Sequence, residues 1–205
     1  VIVKATQGWS YTNPYCAQWV EDALSLGKAV GVYHYIGGGN ARKEMDFFIN
    51  SIRNWIGKVV ICLDWESYQN SAWRDESYLE ACIKRVIELT GVPPLVYASK
   101  EAPFPWSLCQ KYNCGTWVAQ YASMNTTGWQ DAPWNEGSYS CAIRQYTSRG
   151  RIAGWSGDID LNKFYGDRDA WRAYCTGGDD VNTPVGSSIP VLATDVMYHL
   201  CTHNK

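Results

Sequence analysis

Apolar runs and amphipathic helical patterns alternate through the first hundred residues, and that alternation constrains the fold more than any single residue does. Residues 1–5, 29–35, 58–66 and 95–98 are short and mostly apolar, as strands buried on both faces must be. Helical stretches separate them. Asn13-Pro14 supplies a cap and a first-turn proline for a helix ending near Gly27, and Met45, Phe48, Ile49 and Ile52 form one stripe of a helix over 41–55. Leu79, Cys82, Ile83, Val86 and Ile87 keep helical spacing after a capping Asp75, with Gly91 and Pro93 as the stop. Strand–helix repeats with short connections predict a parallel sheet covered by helices, an α/β fold.

The second half changes character. Residues 116–121, 142–146 and 157–161 read as short strands joined by Gly, Asn and Ser loops with no room for long crossover helices. Together the halves predict an irregular TIM-like (β/α) barrel over residues 1–175, with a regular βα first half and a strand-rich second half. Small polar residues over 176–188 read as a flexible linker. Residues 189–205 carry the stripe Val191, Leu192, Asp195, Val196 and Leu200, which predicts a short amphipathic helix opening a possible second module.

The composition excludes several classes of function. With Lys+Arg 18 against Asp+Glu 20, the chain has no broad positive field, so nucleic acid is not an expected partner. No apolar run approaches 18 residues, so no membrane span is expected either. Cysteines 16, 62, 82, 109, 114, 141, 175 and 201 lack C-x2-C pairing and only His34, His199 and His203 could join them, which leaves no metal-ligand set; no cofactor is implied. Cys62 and Cys82 lie in apolar periodic runs and read as buried thiols, whereas Cys109 and Cys114 could bridge in an oxidising environment. Eleven Trp and 14 Tyr suit a cleft that stacks on sugar rings, and equally suit core packing.

Chemistry enters where the third apolar run stops. Leu63-Asp64-Trp65-Glu66 sets two carboxylates at i, i+2, a spacing that puts both on one face of a strand. Two carboxyl groups aimed into one cleft are glycosidase machinery: one protonated to donate to the leaving oxygen, one ionised to stabilise or attack the sugar cation. The triplet alone would also suit a solvated strand end or a helix cap.

Seven segments in order add specificity. They are Val1-Ile2-Val3-Lys4-Ala5-Thr6-Gln7-Gly8, Gly31-Val32-Tyr33-His34-Tyr35, Leu63-Asp64-Trp65-Glu66, Val96-Tyr97-Ala98, Trp117-Val118-Ala119-Gln120-Tyr121, Arg144-Gln145-Tyr146 and Gly157-Asp158-Ile159-Asp160-Leu161-Asn162. Across residues 1–175 this set resembles glycoside hydrolase family 25, the Chalaropsis-type lysozymes. The resemblance implies cleavage of the β-1,4 bond between N-acetylmuramic acid and N-acetylglucosamine in bacterial peptidoglycan. It also implies action at the cell wall, as a phage endolysin released from the host cytoplasm or a secreted autolysin, and a monomer is expected. Carried over by motif, Glu66 is the general acid with a raised pKa. Asp64 stays ionised to orient the substrate acetamido group or stabilise the cation, and Asp160 is the acid on the last barrel strand; Asp158 ranks below it.

Tyr35, Tyr97, Gln120, Gln145 and Trp155 fall at strand ends or in a loop before a strand, where substrate contacts on a barrel collect. His34, between two tyrosines on a strand, reads as a hydrogen-bonded core group or a cleft residue. Arg149 and Arg151 could meet wall carboxylates or be solvated loop charges. One departure stands out: the family's opening G-I-D-V-S-like strand, with its active-site aspartate, has no counterpart before Val1. A fragment with two unpaired barrel edges, poorly stable or weakly active, is the expectation that follows. Two rival readings are a non-catalytic peptidoglycan-binding barrel and a chitinase-like enzyme. The latter would need a further aspartate at position 62, where this chain has Cys62.

Overall fold

The computed structural model describes residues 1–100, 103–133 and 140–178 and the backbone of 198–200. Strand β1 (Ile2–Gln7) carries the two-residue β2 (Tyr11–Thr12) antiparallel on its end. Beside it lie β3 (Gly31–Tyr35), β4 (Val60–Asp64), β5 (Leu95–Ser99), β6 (Thr116–Ala119) and β7 (Ile143–Gly150), all parallel. β8 (Ile159–Phe164) then turns back antiparallel to β7. Three long helices, α1 (Cys16–Ser25), α2 (Ala41–Ile52) and α3 (Glu76–Thr90), alternate with the first strands, as the periodicity predicts.

The strands alternate between two cores. Val3, Val32, Ile61, Leu63, Val96, Ala98 and Val118 point outward to the helices, where they meet Val20, Phe48, Ile52, Leu79 and Ile83. Ile2, Tyr33, Cys62, Leu95, Tyr97 and Trp117 point inward and fill the barrel. Leu79 and Ile83 are fully buried one turn apart on α3, so Leu79→Ala would cost about 2–5 kcal/mol through lost transfer energy and the cavity left behind. Local chemistry fixes the helix ends: Asn40 accepts a hydrogen bond from the Lys43 N–H and Asp75 from those of Ser77 and Tyr78, while Gly91 ends α3 at φ 72°.

Two short helices lie outside the sequence expectations. α4 (Trp106–Lys111) and α5 (Arg168–Thr176) are too brief to show more than one or two turns of apolar spacing. α5 nevertheless has a structural task. Its Trp171 and Cys175 are buried in the interior cluster, and the Trp171 indole donates to the Val30 carbonyl, so the helix packs beneath the barrel at the end where strands enter. The thiols of Cys62 and Cys82 are buried as expected, and Cys109 and Cys114 are free rather than bridged.

The expectation of two unpaired edges is overturned. β9 (Tyr198–Leu200) lies between β1 and β8, parallel to the first (Ile2 opposite His199, Val3 opposite Leu200) and antiparallel to the second (Asp160 opposite His199, Leu161 opposite Tyr198). The sheet therefore closes on itself, β9 joining β8 to β1. Backbone groups on β1 and β8 gain partners that an open edge would leave to solvent. Leu200 thus belongs to a strand rather than the expected helix; Thr176, the first residue of the expected 176–188 linker, ends α5, while residues 179–188 and Val191, Leu192, Asp195 and Val196 lie outside the described residues.

Candidate active site

Parallel register brings the cleft together. Tyr35, the last residue of β3, lies opposite Asp64, the last of β4, and Asp64 lies opposite Tyr97 on β5. Three inward side chains therefore stand level at the carboxyl ends of adjacent strands, the end at which barrel enzymes build their sites. Glu66 follows two residues after Asp64. Asp160 comes from β8 across the barrel, and its charge acts on both Asp64 and Tyr97.

Polar bonds tie the far wall to the near one. The Tyr97 hydroxyl donates to Gln145 Oε1 on β7 at 2.9 Å, and the Tyr121 hydroxyl donates to the same oxygen. Gln145 is buried, so its carbonyl is held toward both phenols. Gln120 follows β6, where its N–H donates to the Gln145 carbonyl at 3.0 Å. Its side-chain oxygen, like Asp64 Oδ1, is buried with no hydrogen-bond partner among the described residues. Buried polar atoms are rarely left so, and Asp64 Oδ1 at the mouth is placed to meet a polar group of a ligand.

The surroundings of Asp64 act on its charge in opposing directions. Burial comes first and the charges of Glu66 and Asp160 add to it, pushing the Asp64 carboxyl well above the usual carboxylate range; Lys4 on β1 opposes the shift. Burial at this depth favours the neutral form of Asp64, a bias that a strand-end position does not reveal. The phenols follow the same logic. Tyr35 is raised by burial and then by Asp64 and Glu66, and Tyr97 by burial and then by Tyr121, Glu66, Asp64 and Asp160.

Of the residues singled out in the sequence, Asp64, Glu66, Asp160, Tyr35, Tyr97, Gln120 and Gln145 gather at this mouth. Trp155 sits half-exposed in the turn between β7 and β8, at the same end of the barrel. His34 lies elsewhere. Fully buried, it pairs with Thr6 Oγ1 through Nδ1 at 2.7 Å and with Glu44 Oε1 through Nε2 at 3.1 Å, and its ring packs on Phe48 of α2. Alternation explains this placement: Tyr33 and Tyr35 face inward, so His34 faces the helices. Arg149 and Arg151 both pair with Asp158, which that ion pairing holds below its ordinary pKa.

Two further mouth residues escaped the sequence reading. Tyr121 continues the inward alternation of Trp117 and Ala119, a signal present in the sequence. Lys4 alternates inward with Ile2, its ammonium 4.9 Å from the centre of the Tyr35 ring. A glycine shapes the rim between them: at Gly38, φ +90°, a Cβ would meet Ser71 Oγ at 2.2 Å, so only glycine lets the β3–α2 loop dock on the β4–α3 loop.

Fold and site together define a closed (β/α) barrel with an acidic, tyrosine-lined mouth. The chain belongs to the glycosyl hydrolases family 25, whose pattern matches residues 1–155. Among curated proteins it is similar to YegX of Escherichia coli K12, itself uncharacterised, at 26% identity over 178 residues, covering 85% of this chain and 62% of that protein. The chain thus spans less than two thirds of that relative's length. Solved structures with the same fold include the catalytic domain of endolysin ply40 from bacteriophage P40 of Listeria monocytogenes (TM-score 0.64, 21% identity, 86% of this chain and 85% of that one). A bacterial lysozyme from Streptomyces coelicolor matches similarly (TM-score 0.64, 18% identity, 86% of each chain). The muramidase from Trichobolus zukalii is a third (TM-score 0.61, 22% identity, 86% and 87%).

Proposed function

We propose that this chain is a peptidoglycan hydrolase, a muramidase that cleaves the β-1,4 bond between N-acetylmuramic acid and N-acetylglucosamine. Family membership and the lysozyme, muramidase and endolysin names of the structural relatives support the reaction class. The observation that carries the reading to this chain is the convergence of Asp64, Glu66 and Asp160 on one mouth.

Glu66, less buried than Asp64, is the general acid and delivers a proton to the glycosidic oxygen. Asp64 is its deeper partner. Ionised Asp64, favoured by the charge of Lys4, stabilises the positive charge developing on the sugar. Asp160 adds negative charge from the opposite wall, and Tyr35, Tyr97, Gln120 and Gln145 orient the acetamido and hydroxyl groups. The substrate polymer places the enzyme's work at the bacterial cell wall, as a phage endolysin or a secreted autolysin.

The test is solubilisation of purified peptidoglycan by the parent chain and by Glu66→Gln. Removing a general acid lowers the rate by about 100-fold or more. An unchanged rate in Glu66→Gln contradicts the assignment of the acid, and a parent chain that releases nothing contradicts the activity.

A further inference from the structure

Beside the carboxylates the loop after β4 presents an aromatic ring to solvent. Tyr68, two residues beyond Glu66, is 72% exposed. Its carbonyl accepts a hydrogen bond from the Tyr35 hydroxyl at 2.5 Å, and its own hydroxyl accepts one from Gln69 Nε2 at 3.3 Å. Gln69 Oε1 accepts from Gln7 Nε2 at 3.0 Å, and Gln7 Oε1 accepts from Lys4 Nζ at 2.7 Å. Four side chains thus form a polar strap from the end of β1 to the loop after β4. On the other side, Asn70 Nδ2 donates to the Glu66 backbone carbonyl at 2.9 Å, so the loop carrying Tyr68 is tied to the main chain that carries the acid.

The loop also accepts strain to hold this shape. Gln69 adopts φ +53°, a left-handed conformation that non-glycine residues seldom occupy and that collects at functional sites. An ordinary solvated tyrosine needs neither the strap nor the strain. A flat ring fixed at the rim, its edge hydrogen-bonded and its surroundings carboxylic, has the form of a platform for the apolar face of a pyranose.

We infer that Tyr68 is a stacking platform for an N-acetylhexosamine ring of the glycan, adjacent to the bond that Glu66 protonates, and that Gln69, Gln7 and Lys4 are its positioning residues. The inference rests on the proposed muramidase reading and names a sugar-recognition residue within it. Stacking on the ring makes Tyr68 a determinant of glycan affinity, while the proton chemistry stays with the carboxylates.

The experiment measures binding of a peptide-free tetrasaccharide of alternating N-acetylglucosamine and N-acetylmuramic acid, by calorimetry at low temperature before turnover, together with kcat and KM on the same glycan. Tyr68→Ala raises Kd and KM by roughly three- to tenfold with a smaller change in kcat, and Tyr68→Trp restores them. Thermal melts of both variants match the parent, since the side chain is exposed. An unchanged Kd in Tyr68→Ala, or a parent chain that does not bind the tetrasaccharide, overturns the platform. A parent that binds it and shows the Tyr68 dependence, yet releases no reducing ends, supports the platform and contradicts the muramidase reading instead.

Discussion

His34 Nε2 lies 3.1 Å from Glu44 Oε1, and both side chains are wholly shielded from water. Tyr78 of α3 and the Gly37 N–H also donate to Glu44, at 2.5 and 2.6 Å, so one carboxylate joins β3, α2 and α3 behind the active-site wall. Burial lowers the His34 pKa against the opposing pull of Glu44. Glu44 itself ends below its ordinary value because the bonds from His34, Tyr78 and Gly37 outweigh its own burial.

These two shifts set the acid response. An unfolded histidine binds its proton near pH 6.5 and an unfolded glutamate near 4.5, each above its folded counterpart here. The unfolded state then holds more protons, so the stability from both groups is full above pH 6.5 and falls as pH drops below it. Thermal melts from pH 8 to 4 should show a loss of Tm beginning near 6.5 and steepening near 4.5, and His34→Gln should flatten the upper part of that loss. A Tm that rises on acidification from 6.5 would contradict the neutral, buried imidazole.

Asp64 has the opposite sign. Its folded pKa is raised, so its contribution is intact below pH 3.8 and lost as pH rises through the folded value. At pH 7, Asp64→Asn should therefore stabilise the fold by about 0.5–2 kcal/mol, while muramidase activity falls sharply. The gain should shrink toward pH 4, where less charge on the parent carboxyl has to be buried. Calorimetry of the two proteins at both pH values checks this; a destabilised Asn variant at pH 7 would refute it.

Closure of the barrel by β9 predicts a cost for its removal. A chain ending at Gly178 loses the ladders to β1 and β8, worth on the order of 2–4 kcal/mol at a net 0.5–1.5 for each bond lost. It should melt earlier and associate through the bared edges, as light scattering would report. Equal melting of the shortened and full chains would show that β9 adds nothing.

The Tyr97–Gln145 bond spans the barrel from β5 to β7. Tyr97→Phe keeps the ring against Trp117 and leaves Gln145 Oε1 its bond from Tyr121, so stability should drop by only about 1 kcal/mol. Loss of the oriented phenol should lower the hydrolysis rate by more than that stability change implies. Denaturant melts set beside initial rates separate the two effects, and a rate equal to the parent would remove Tyr97 from the site.

What could be read in the sequence follows physical range. Helix stripes such as Met45, Phe48, Ile49 and Ile52 and caps such as Asp75 are local, and they appear where expected. The pairing of Asp64 with Glu66 is also local. His34 was ambiguous because its face depends on which neighbours point inward, although Tyr33 and Tyr35 carried that information. β9 was hidden by range: three residues with a helical stripe reveal nothing of the gap between β1 and β8, almost the whole chain away. The raised pKa of Asp64 was hidden for a similar reason, since depth in the barrel and Asp160's charge arise only on folding.

Muramidase chemistry driven by Glu66 is read most clearly in its products. Mass spectrometry of borohydride-reduced products, after incubating purified peptidoglycan with the parent chain and with Glu66→Gln, addresses it most directly. Reduced N-acetylmuramic acid ends are expected from the parent and none above background from the variant. Reduced N-acetylglucosamine ends, or equal release by both proteins, would contradict it.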